Sequence, residues 1–267
     1  MIDRRKFLLG GAGGLAGFAV YVHGIGSAAA APVKNVSYGA NRLDVYPAAN
    51  PDAPVLAYVH GGAWRLGDRG TVGSMPGYFN PLGYAFVSIG YSLSSDVGNQ
   101  AREVASAVNW IKSNIGQFGG NGGRVALMGH SAGCHLSCLA TLSDLTSVRA
   151  LVANDTAAYD VAYLAEINHG RLPFLYAQPF SDRSKWRQWS PYSYASGAGG
   201  MPVLVAWSGG QNRDRISKRF ADALAAGGHP VTRFDGGRYS HLSIRNAVGK
   251  RGDPLTARIT DFLRAYV

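Results

Sequence analysis

The chain has 267 residues, 46% of them hydrophobic and 16% charged, with a formal net charge of +10. That length leaves ample room for a substantial core and is read as one large domain. Net positive charge admits a nucleic-acid binder. The basic residues are scattered, however, and the denser patches, Arg213, Arg215, Lys218 and Arg219, then Lys250 and Arg251, are short. They read as a solvated face, with no nucleic-acid partner expected.

The N-terminus stands apart from that domain. Arg4 and Arg5 precede a weakly apolar stretch, Phe7 to Val22, and small residues follow as "SAAAAP". This pattern predicts a twin-arginine signal peptide over residues 1–31, cut near Ala30, with the twin-arginine export machinery as its partner. The protein is then expected to be bacterial or archaeal and periplasmic or secreted. The apolar stretch is short and glycine-rich for a membrane span, and no stable span is expected in the mature chain. Without Asp3, Arg4, Arg5 and Lys6, 23 basic and 15 acidic residues remain, a charge of +8.

From there apolar runs recur: "PVLAYVH" at 54–60, "YAFVSIGY" at 84–91, "RVALMG" at 124–129, "RALVAN" at 149–154, "MPVLVAWS" at 201–208 and "PVTRFD" at 230–235. Near-continuous and rich in β-branched and aromatic residues, they predict strands buried on both faces. Helical segments alternate with them. In "QAREVASAVNWIKSNIGQF", Val104, Val108, Ile111 and Ile115 form one apolar stripe, and "RDRISKRFADALAAGG" and "DPLTARITDFLRAYV" behave likewise. The alternation predicts an α/β fold: a mostly parallel central sheet with helices on both faces, over residues 32–267. Between 161 and 200 it lapses into a stretch holding Phe174, Tyr176, Phe180, Trp186 and Trp189. This is expected to be an aromatic-rich cap insertion, whose rings either simply pack it down or, some of them, also line a substrate pocket.

Chemistry concentrates at "RVALMGHSAGCHLSCLA". Gly129 and Gly133 flank Ser131 as G-x-S-x-G, after a predicted strand and before a predicted helix, Ala132 to Leu142. A strand-to-helix turn this tight leaves no space for side chains two positions either side of the serine and pushes the serine out at its tip. A serine hydroxyl needs a base to take its proton, and the base needs an orienting acid. Among seven histidines, His229 precedes its strand, on the wrong edge of a parallel sheet. His241 follows that strand, on the edge where sites lie. The acid is expected after "VLVAW", where Asp214 is the first carboxylate. Asp235 is the alternative, and Asn212 could still orient the imidazole.

The glycine-rich "VHGGAWRLGD" offers Gly62 and Ala63 as backbone donors to an oxyanion, joined by the N–H of Ala132. His60 is read as a buried brace of that loop and Trp64 as a packing anchor. Cys134 and Cys138 sit four apart on one helix and are read as small buried hydrophobes, because a disulfide there would be strained. No histidine or cysteine cluster suggests a metal, and no cofactor is expected.

His60-Gly61-Gly62-Ala63-Trp64, Gly129-His130-Ser131-Ala132-Gly133 and a late histidine together resemble the α/β-hydrolase superfamily, in its esterase and lipase branch with an HGGxW loop. With "WRLGDR" and the Tyr159-Asp160 pair, the chain is similar to the kynurenine formamidase-like and feruloyl or acetyl-xylan esterase-like groups. The resemblance spans residues 36–267. It implies Ser131 as nucleophile, His241 as base, Gly62, Ala63 and Ala132 as oxyanion donors, and a serine carboxylic ester hydrolase acting on small to medium esters through an acyl-enzyme. An arylformamidase using the same machinery, and a non-catalytic binding protein on a hydrolase scaffold, are the rival expectations. The chain departs from the family pattern at "GGQNRD", where an acid usually follows the glycine sooner.

Overall fold

The computed structural model describes residues 30–267 apart from 95, 198 and 211. The predicted leader, but for Ala30 and Ala31, lies outside the described residues. The elements in chain order are β1 (Val33–Ser37), β2 (Arg42–Tyr46), β3 (Ala53–Val59), α1 (Met75–Phe79), β4 (Ala85–Ile89), α2 (Val97–Asn114), β5 (Gly120–His130) and α3 (Ala132–Leu142). They continue with β6 (Ala150–Asn154), α4 (Val161–Glu166), α5 (Phe174–Ala177), β7 (Val203–Ser208), α6 (Arg213–Ala226), β8 (Val231–Gly236), α7 (His241–Ala247) and α8 (Pro254–Tyr266). Eight strands form one sheet in the order β1-β2-β4-β3-β5-β6-β7-β8. The first two are antiparallel to their neighbours, and β4, β3, β5, β6, β7 and β8 pair in parallel. This is the α/β architecture expected from the alternating runs.

Near-continuous apolar strands are explained by the two-sided core. Val55, Ala57 and Val59 of β3 point into one cluster, with Val104, Val108 and Ile111 of α2 and Ile216, Phe220 and Leu224 of α6. Leu56 and Tyr58 point into the other, with Phe79 of α1, Ile244 of α7 and Ile259, Phe262 and Leu263 of α8. Successive side chains alternate faces with period two, so a strand covered on both sides must be apolar at every position. The hairpin β1–β2 escaped the pattern because β1 is mostly exposed and β2 reads Arg-Leu-Asp-Val-Tyr. Asp44 is nevertheless buried, held by Lys34 at 3.2 Å and Arg69 at 3.1 Å.

The connection from β3 leads to β4 on one side, whereas β5 lies on the other, so the order of strands reverses between β3 and β5. A crevice opens at such a point beyond the carboxyl ends of the strands. There the loop after β3, the turn after β5 and the chain after β6 come side by side, with Val59 paired to Gly129 and His130 to Asn154. The described residues of 161–200 contain no strand. Phe180 and Trp189 are buried there, while Phe174 is 86% exposed.

Candidate active site

Ser131 sits at the turn from β5 to α3 with φ 57° and ψ −122°, a conformation a residue with a Cβ adopts only under constraint. The flanking glycines make it feasible. A Cβ on Gly129 would run into the Gly133 carbonyl, and one on Gly133 into the Val59 carbonyl. The Ser131 N–H donates to the backbone carbonyls of Asn154 at 3.3 Å and Asp155 at 3.1 Å, fixing the turn against the end of β6.

His241 is the first residue of α7, whose start is set by a capping box between Ser240 and Ser243. Its Nε2 lies 2.9 Å from Ser131 Oγ, and its Nδ1 lies 2.7 Å from Oδ2 of Asp155. A carboxylate only accepts, so Nδ1 carries the proton and Nε2 is left to accept from the serine. The expected serine–histidine pair is therefore brought together, but the acid is a different residue.

Asp155 directly follows β6. Its side chain is fully buried and takes the Ser208 hydroxyl at 2.6 Å and the Ser208 N–H at 3.1 Å. Arg213 Nη1 lies 3.5 Å from its other oxygen. Burial alone would push the carboxyl up. The His241 hydrogen bond, the Arg213 charge and the Ser208 hydroxyl outweigh it and hold Asp155 down to about 2. Asp214, the acid expected from sequence, lies in the first turn of α6 with its side chain 56% exposed, beside Lys218 at 3.8 Å. The helix turns it to solvent, and its neighbour Arg213 points inward instead. Asp235 is also exposed, accepting the Gly237 N–H at 3.0 Å. The usable signal for Asp155 was its place immediately after the buried run "RALVAN", at the carboxyl end of a strand and between Ser131 and His241 in the chain.

Gly62, Ala63 and Trp64 all take positive φ, of 131°, 51° and 63°, and the loop is closed by Leu66 N–H donating to the Gly62 carbonyl at 2.9 Å. A Cβ on Gly61 would come within 2.9 Å of Ser131 Cβ, so the loop lies directly against Ser131. Ala132 heads α3, where its N–H has no carbonyl one turn back within the helix. His60 stacks on Tyr91 at 4.5 Å between ring centres, and burial lowers its pKa. It braces the loop as expected. Trp64 is 3% exposed, donates from Nε1 to His135 Nδ1 at 3.2 Å and packs edge-on against Tyr176 and Phe180.

His130 stacks on His241 at 4.7 Å and donates from Nε2 to the His241 carbonyl at 2.8 Å. Burial, helped by the neighbouring His241, lowers its pKa to about 3. The ligand-type atoms of His130, Asp155 and His241 lie within 4.8 Å of one another. Cys134 and Cys138 are free and buried. Of the basic patch read as solvated, Arg213 is 5% exposed and belongs to the site. Arg219 pairs with Asp160 at 2.7 Å and stacks on Tyr192. Among the described residues no helix is long and apolar enough to cross a membrane. A cavity of about 260 Å³ is lined by Ala157 in the chain after β6, Leu164 of α4, Ile167, Pro173, Tyr176 of α5 and Asn212 before α6.

A mostly parallel sheet carrying a strained serine after β5, a histidine after β8 and an acid between them has the α/β-hydrolase fold. Residues 43–167 match the BD-FAE family. Esterase LipQ of Mycobacterium tuberculosis is 29% identical over 88% of this chain and 62% of its own length, so the chain spans about three-fifths of that relative. Among solved structures, esterase B from Lactobacillus rhamnosis superposes with a TM-score of 0.71 at 19% identity, over 88% of this chain and 85% of that one. A truncated carbohydrate esterase from gut microbiota gives a TM-score of 0.74 at 16% identity, over 90% and 97%. The chain is thus similar to esterases in part of its sequence and in its fold.

Proposed function

We propose that the chain is a serine carboxylesterase, exported through its twin-arginine leader, that hydrolyses small to medium esters by way of an acyl-enzyme. The relay from Ser131 Oγ to His241 Nε2 at 2.9 Å, and from His241 Nδ1 to Asp155 Oδ2 at 2.7 Å, carries this reading. The esterase names of its relatives support it.

Ser131 Oγ attacks the ester carbonyl carbon as His241 takes its proton, and Asp155 stabilises the imidazolium that forms. The oxyanion lies among the N–H groups of Gly62, Ala63 and Ala132. Collapse of the tetrahedral intermediate breaks the bond to the alcohol, which leaves with the proton from His241. Water then attacks the acyl-serine, giving its proton to His241, and the carboxylic acid departs as Ser131 regains a proton. The cavity lined by Ala157, Leu164, Ile167 and Tyr176 is apolar on most of its wall and suits one arm of the ester.

The test is hydrolysis of short and medium p-nitrophenyl esters beside Ser131→Ala, with fluorophosphonate labelling as a second readout. Turnover and labelling are expected in the parent and absent from the variant. A folded parent that neither turns over any ester nor takes the label would leave a binding scaffold instead.

A further inference from the structure

The strand that was expected to supply the acid supplies a cation instead. Arg213 is the first residue of α6, in the connection after β7, and its side chain is 6% exposed against a fully buried Asp155. Its Nη1 is buried without a hydrogen bond among the described residues, 3.5 Å from Asp155 Oδ1. Asp155 Oδ2 holds His241 and Ser208, so imidazole and guanidinium divide one carboxylate between its two oxygens. We propose that Arg213 is a positioning residue for the relay, a second cation on the acid that sets the pH below which His241 ceases to act as base.

The direction follows from Coulomb's law. A lone buried carboxylate favours the imidazolium beside it, and a guanidinium on the same carboxylate offsets part of that preference. With Arg213 present, less of the charge on Asp155 is left to act on the imidazole. Other groups facing the relay do not duplicate the effect. His130, stacked on His241 from the end of β5, is kept neutral by burial. Tyr159, in the chain after β6, and Tyr176, on α5, have phenols pushed up by burial and stay uncharged. Ser131 and Ser208 carry no charge, and Arg245 sits one turn along α7 from His241, interacting with His130.

This inference rests on the relay of the proposed esterase, but its test does not require turnover. The imidazole of His241 is titrated by NMR in histidine-labelled full chain, its signal identified by loss in His241→Gln. In Arg213→Gln and Arg213→Met the midpoint is expected to rise on the order of one pH unit, with Arg213→Lys returning most of the shift. If the parent hydrolyses p-nitrophenyl acetate, the acidic limb of kcat/KM moves up by the same amount, whereas a merely structural role lowers the rate without moving the limb. An unmoved or lowered midpoint in a folded variant overturns the proposal. Should neither variant fold, Asp155→Asn decides. His241 then faces an uncompensated guanidinium and is expected to titrate lower than in Asp155→Asn/Arg213→Gln, where that charge is gone, and equal midpoints refute the role.

Discussion

Asp155 and Asp214 differ as residues in what surrounds them. Asp155 is fully buried, takes hydrogen bonds from His241 and Ser208 and is held to about 2, so it stays ionised throughout the working range of an imidazole base. Asp155→Asn keeps the shape but allows the imidazole the wrong tautomer, and kcat is expected to fall about ten-thousandfold. Asp214→Asn removes only an exposed partner of Lys218, and kcat/KM is expected to stay within about twofold. Equal losses in the two variants would remove Asp155 from the relay. Ser131, His241 and the glycine loop were legible because their constraints are local: a turn that excludes Cβ atoms, and a histidine at the correct end of its strand. The acid was not, because a helix start decides which of two adjacent residues faces inward. "Arg213-Asp214" reads as an acid in the right loop until α6 turns the aspartate to solvent and buries the arginine.

At the level of elements, three segments distant in sequence meet around one imidazole. His135, fully buried on α3, accepts from Trp64 of the oxyanion loop through Nδ1 and donates from Nε2 to the Trp189 carbonyl at 2.7 Å in the aromatic segment. Sequence spacing showed neither link, since nothing local distinguishes His135 from a surface histidine. Trp64→Phe keeps most of the packing and leaves His135 Nδ1 unpartnered, a loss of about 1–3 kcal/mol. Because Trp64 also fixes the left-handed turn beside Gly62 and Ala63, kcat is expected to drop more than KM rises. A stability change with unaltered kcat would uncouple the anchor from the oxyanion loop. The same burial makes stability sensitive to acid. His130 and His135 have pKa values lowered to about 3 and about 4, while an unfolded histidine titrates near 6.5. Below about 6.5 the unfolded chain binds protons that the folded chain refuses, so stability falls as pH falls until those folded values are reached. Between pH 7 and 5 each histidine is expected to cost on the order of 1–2 kcal/mol. Urea unfolding at the two pH values checks this, and His135→Gln should remove roughly half of the difference.

Across the whole molecule, the sheet order lets an acid reach one histidine from either of two strands. β6 and β7 are parallel neighbours, with Asn154 beside Ala206 and the Asp155 N–H donating to the Ala206 carbonyl at 2.9 Å. The residue at the end of β7 is Ser208, whose hydroxyl touches the same Asp155 oxygen that His241 uses. The strand after which the acid was first expected thus ends at the relay, but with a hydroxyl in place of a carboxylate. The two strand ends therefore offer two places from which negative charge can stand behind His241. Exchanging the two residues tests that statement. Asp155→Ser alone should lose activity about as severely as Asp155→Asn. Adding Ser208→Asp returns the carboxylate from the neighbouring strand, with Arg213 still at hand to share it, and kcat is expected to recover at least about tenfold over the single variant. If the double variant folds, as judged by its thermal transition, and recovers nothing, then the hydrogen bonds that Ser208 gives to Asp155, and not the placement of charge alone, hold the relay in its working geometry.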